Sequence, residues 1–136
     1  MNTINYLAVF VSAVASLVIG ALWYGPMFGK PWMRPLGISR ESMQGWEKKM
    51  VAKRGYAISF ISSLVMAYTL ALFANLFRVT DITGAWQLSF WIWLGFIATT
   101  QLGPVLWLGK SLKLYLIDTF YHLVNIFVVS VILLLL

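Results

Sequence analysis

Cysteine is absent from the sequence, histidine occurs once, and only four residues are acidic. The first absence excludes a disulfide frame, a thiolate nucleophile and a cysteine-held metal. The single imidazole, His122, has one carboxylate near it in sequence, which falls short of the three or four ligands a metal needs. No metal and no cofactor is therefore expected. A Gly-rich phosphate loop is missing, and no serine has a histidine and an acid close by in sequence, so neither a nucleotide site nor a serine triad is signalled. Charged residues of both signs make up only 10% of the chain. What fills their place is apolar: 61% of residues are hydrophobic and the mean hydropathy is +0.85. A soluble domain of 136 residues cannot bury that much apolar surface.

A hydrocarbon layer about 30 Å thick needs roughly 20 apolar helical residues at 1.5 Å rise each. Four runs qualify, at about Tyr6 to Tyr24, Tyr56 to Phe77, Trp86 to Leu108 and Tyr115 to Leu136. They are continuous and show no period-two alternation, so helices are preferred over a barrel. The expected fold is an all-α polytopic membrane protein, a four-transmembrane-helix bundle forming one domain over 1–136. Trp23, Tyr24, Tyr56, Trp107 and Tyr115 fall at one set of span ends and Tyr6, Phe77 and Trp86 at the other, as interfacial aromatics do.

The cations fix the orientation. Lys30, Arg34, Arg40, Lys48, Lys49, Lys53 and Arg54 lie between the first two spans, and Lys110 and Lys113 between the last two; only Arg78 falls on the other side. Basic residues in short loops stay cytoplasmic. The reading is a multi-pass membrane protein with both termini outside. The formal charge of +6 is then a topology signal that also attracts anionic headgroups, and not a nucleic-acid footprint. The first run is preceded by no Lys or Arg and ends in Trp23-Tyr24-Gly25-Pro26 instead of a small-residue cleavage site, which reads as a retained anchor.

The loop over 25–55 has two parts. Pro26, Gly29, Pro31, Pro35 and Gly37 break any helix, while Met27, Phe28, Trp32, Met33 and Leu36 keep the segment apolar, so an interfacial hairpin is expected. From an N-cap at Ser39, Met43, Trp46 and Met50 recur at helical spacing. This predicts a short interfacial amphipathic helix leading into the second span, with a partner-docking helix as the alternative.

Polar residues in the spans are few and one-sided. Asp118, His122 and Asn125 share a stripe at i, i+4 and i+7, at depths of about 5, 10 and 15 Å from Tyr115. The same count puts Gln101 on the third span near the depth of His122. Ser16, Ser59, Ser62, Ser63, Thr99 and Thr100 lie in the same half. Read functionally, Asp118 and His122 form a proton-responsive pair beneath a cytoplasmic vestibule; read structurally, His122, Gln101 and Asn125 cross-link helices. Ser12, Ser16 and Gly20 are spaced to let two helices approach closely, within the chain or between copies. Pro104 leaves the Thr100 carbonyl without its donor and should kink the third span.

Asn5, Gly20-Ala-Leu-Trp23-Tyr24-Gly25-Pro26, Phe28-Gly29-Lys30-Pro-Trp32-Met33, Leu36-Gly37, Gly95-Phe96, Thr99-Thr100 and Tyr121-His122 form a recognisable pattern. Together they resemble a bacterial membrane family catalogued as a domain of unknown function, number seventeen sixty-one. The resemblance covers nearly the whole chain and implies a four-helix integral membrane protein, without supplying an activity. It also implies that Asn is frequent where this chain has Asp118, so an ionised carboxylate is not a shared requirement there.

Two functions stay open. In the first, the protein binds a lipid or small amphipathic ligand from the cytoplasmic leaflet, or is a structural component, as a homo-oligomer. Its ligand-binding residues would be Trp23, Tyr24, Gly25, Pro26, Trp32, Gln101, Asp118, His122 and Asn125. In the second, it is a small transporter or channel subunit using Gln101, Asp118 and His122. A membrane enzyme ranks third, and no catalytic residue is assigned.

Overall fold

The computed structural model describes residues 4–23 and 45–136, with backbone alone over 45–52. The hairpin, and with it Tyr24, Gly25, Pro26 and Trp32, lies outside the described residues. Those that are described form helices α1 (Tyr6–Leu22), α2 (Gly45–Leu76), α3 (Ile82–Ile92), α4 (Leu102–Trp107) and α5 (Leu112–Leu135), with a π-helical segment, Trp93–Ala98, between α3 and α4. Taken from Ile82 to Trp107 as one span, the rods number four. Three of them are long and apolar enough to cross a membrane: Lys53–Leu76, Ile82–Trp107 and Leu112–Leu135. The apolar α1 is shorter, at 17 residues.

Short polar side chains start the helices. Asn5 accepts from the Ala8 N–H at 3.2 Å, Asp81 from the Gly84 N–H at 2.8 Å, and Ser111 from the Lys113 N–H at 3.1 Å. Asp81 explains why the third span begins before Trp86: the cap sets the start, although Thr83 and Gly84 contribute little hydropathy. The expected interfacial helix is not a separate element. Its backbone from Gly45 continues unbroken through Gly55 into α2, since one glycine costs a helix only about 1 kcal/mol and no proline intervenes.

Helix ends at the two short turns share one device. After α2, the Val79 N–H reaches back to the Ala74 carbonyl at 2.9 Å; after α4, the Lys110 N–H reaches the Pro104 carbonyl at 3.1 Å. The first closes six residues and the second seven, and each includes one left-handed residue. Gly109 supplies it at φ +71° without strain, whereas Arg78 does so at φ +54°. Arg78→Gly should therefore raise stability by about 0.5–1 kcal/mol, and Gly109→Ala should lower it by about 1 kcal/mol. Equilibrium unfolding in mixed micelles, followed by far-ultraviolet circular dichroism, reads both.

The third span bends where Pro104 predicts and for a wider reason. From Trp93 the backbone widens into the π segment, then breaks over Thr99–Gln101. The released carbonyls find donors: the Thr99 hydroxyl bonds to Gly95 at 2.7 Å, the Thr100 hydroxyl bonds to Phe96, and the Tyr115 hydroxyl bonds to Ala98 at 2.6 Å. These three carbonyls are thus satisfied inside the chain, as a lipid environment favours.

The central rod is α5, which packs on α1, on α2 and, across its other side, on α3 and the π segment. α1 and α5 run antiparallel: the Asn5 amide donates to the Leu136 carbonyl at one end, and the Trp23 indole donates to the Ile117 carbonyl at the other, both at 3.0 Å. Ala8, Ala13 and Ala67 are fully buried, and the core gathers Val9, Leu70, Ala71, Ile126 and Val129 around them. Small residues at the contacts and large ones outside (Phe96 is 70% exposed, Trp91 65% and Val65 62%) reverse the soluble pattern. Lipid is the solvent that such a surface suits. A buried hydrogen bond of 3.1 Å between Ser89 and Ser130 ties α3 to α5.

Candidate functional site

Helix α1 brings Ser16 and Gly20 onto one face, four residues apart. α2 presents Ser59, Ser62, Ser63 and Met66 at i, i+3, i+4 and i+7, again a single face. α5 adds Tyr121, His122 and Asn125 from around its middle. These surfaces surround a cavity of about 540 Å³, whose wall also includes Leu17, Ala21, Tyr56 and Ile58. It lies at the end of the bundle that carries Lys53, Arg54 and Lys110. Tyr56, Ile58, Ser59 and Ser62 are exposed, so among the described residues the cavity is open on the α2 side.

Its deep wall holds polar atoms without partners. Ser16 is 2% exposed and Asn125 3%, yet the Ser16 hydroxyl and the Asn125 Oδ1 make no hydrogen bond; Ser12, one turn further along α1, is likewise unpartnered and fully buried. The Asn125 amide nitrogen has only the Met66 sulfur, at 3.9 Å. Each unsatisfied group costs about 1–3 kcal/mol, and the two residues that carry them both belong to the cavity wall. The half-buried His122 also lacks a hydrogen-bond partner among the described residues and stacks edge-on against Tyr121 with ring centroids 5.0 Å apart. No Lys, Arg, Asp or Glu is among the described lining residues.

The site residues expected from sequence are only partly brought together. His122 and Asn125 share the cavity, but Asp118, on the same stripe, is held elsewhere by Lys110 in a 3.0 Å ion pair. Asp118 sits barely two turns into α5, within reach of the loop before it. Gln101 is half-buried at the start of α4, and its side chain makes no capping bond there; it does not line this cavity. Trp23 stands next to the cavity, with its ring 6.4 Å from that of Tyr121 and its indole on α5. Ser12 and Ser16 are buried within the chain, and Gly20 lies against Tyr121: a Cβ there would come within 3.3 Å of the tyrosine hydroxyl. Sequence reasoning missed Tyr121 as a wall residue; its place beside His122 was the available signal. It also missed a second, more apolar hollow of about 700 Å³ at the opposite end, between Phe73, Phe77 and Arg78 on one side and Gln87, Trp91 and Phe96 on the other. Among the described residues no group of three or more His, Asp or Glu is placed to hold a metal.

The sequence model of the family described as Protein of unknown function (DUF1761) matches residues 7–134. The chain belongs to that family. The helices that wall the cavity fall inside the matched stretch except for Tyr6 at the start of α1 and Leu135 at the end of α5, so the match covers nearly the whole bundle. No curated protein and no solved structure matches the chain. In this DUF1761 member the cavity is therefore the feature from which function is read.

Proposed function

We propose that this is a membrane protein that binds a lipid or a small amphipathic molecule between α1, α2 and α5, entering from the cytoplasmic leaflet. The observation that carries this reading is the pair of buried, unpartnered polar groups, Ser16 and Asn125, on the wall of an otherwise largely apolar cavity. A cavity of about 540 Å³ is within the roughly 300–1,000 Å³ usual for small-molecule sites. In this reading α1 crosses the bilayer with the other three rods, both termini are outside, and the basic end faces the cytoplasm of a bacterial cell. Lys53, Arg54, Lys110 and Lys113 then meet anionic headgroups around the cavity. If copies associate, the exposed Trp91 and Phe96 face is available, while the Ser12–Ser16–Gly20 stripe is occupied inside the chain.

Filling the cavity tests the reading. Protein extracted in a mild detergent should retain about one small lipid per chain in native mass spectrometry. Ser63→Phe, which places a ring in the cavity, should remove that mass. Val124→Phe, on an exposed position of α5, should leave it. Equal retention by both variants, or none in the parent, contradicts the proposal.

A further inference from the structure

We infer that the molecule held by this cavity has an uncharged headgroup carrying at least one hydroxyl, as a diacylglycerol does; the inference rests on the binding reading above. The charge follows from the wall. Among the described lining residues none is Lys, Arg, Asp or Glu, and the nearby Asp118 and Lys110 neutralise each other. A phosphate ester placed against these residues would find no Lys or Arg among them, and an unpaired ion in an apolar setting costs far more than a neutral polar group.

The hydroxyl follows from what the wall leaves unmade. The Asn125 carbonyl oxygen accepts and cannot donate, so it needs a donor from the ligand. A quinone ring or a plain ester offers acceptors alone and would leave it unpaired. The Ser16 hydroxyl, able to give or take, sits on the facing helix. One ligand hydroxyl can donate to Asn125 and accept from Ser16 or His122, which satisfies both sides at once. The apolar parts have a route as well: Leu17, Ile58 and Met66 line the same space, and the exposed Tyr56–Ile58 side lets chains pass into the bilayer.

Delipidated full-length protein in detergent should be titrated by native mass spectrometry with dioctanoylglycerol, dioctanoyl phosphatidate and a decyl-chain benzoquinone. Dioctanoylglycerol should bind about tenfold more tightly than either competitor. Asn125→Leu and Ser16→Ala should each weaken it roughly fivefold, the loss of one neutral hydrogen bond, while leaving quinone binding unchanged. Neither variant should unfold the protein, since the Ser16 hydroxyl and the Asn125 Oδ1 have no partner in the chain and Asn125→Leu gives up only the long 3.9 Å contact with the Met66 sulfur; thermal melts check this. Phosphatidate or benzoquinone binding as tightly as dioctanoylglycerol, or folded variants binding dioctanoylglycerol like the parent, overturns the headgroup assignment and leaves the binding reading standing. Absence of binding by all three probes, together with no lipid retained from the cell, overturns both.

Discussion

Gly20→Leu should destabilise the bundle by about 1–3 kcal/mol, the usual range for overpacking, and abolish retention of the bound molecule. The position has no room for a branched side chain. Its first added carbon would come within 3.3 Å of the Tyr121 hydroxyl and 3.8 Å of the ring, and leucine adds three more atoms beyond it. The tyrosine must swing away, and the space it turns into is the cavity that Gly20 and Tyr121 both border. Trp23, 6.4 Å from the same ring and bonded to α5, reports the movement through its environment. Unfolding in mixed micelles measures the first effect and native mass spectrometry the second. Gly20→Ala should do less, because a single carbon at that distance asks Tyr121 to yield by only a few tenths of an ångström. A leucine variant as stable and as well loaded as the parent would show that α1 and α5 do not meet as described.

Ile126→Ala should cost roughly 2 kcal/mol, and Ile58→Ala almost nothing. Ile126 is 1% exposed on the central helix, packed with Val9, Ala67 and Leu70, whereas Ile58 is 57% exposed. In water both changes would carry a transfer penalty. In lipid the unfolded reference is itself apolar, so that part falls away. The void left in a packed core remains, at about 24 cal/mol per Å³. The contrast between the two sites thus separates packing from burial. A large loss at Ile58 would mean that its side chain is covered by protein and not by lipid.

The helices were legible because their runs are long and their ends carry signals. Asp81 and Ser111 show that the true starts lie a few residues before the hydropathy edges. The stripe of Asp118, His122 and Asn125 was legible as a stripe, but its division was not. A helix of fixed pitch gives the face, whereas the lysine that claims Asp118 comes from the preceding turn, and no periodicity reports on turns. Gln101 was assigned its depth on a straight helix. The π segment before it changes both rise and rotation, and π geometry leaves no pattern in sequence that hydropathy reads. The serines of α2 were visible as polar positions in one half; only packing against α1 and α5 turned them into a wall.

The most direct test of the account is an experimental structure of the protein in lipid nanodiscs, prepared without delipidation. Density should lie between α1, α2 and α5, with a polar atom about 3 Å from both Asn125 and Ser16. Contradiction would be a dry contact in which those two side chains bond to each other or to the chain, with the helices closed over the space.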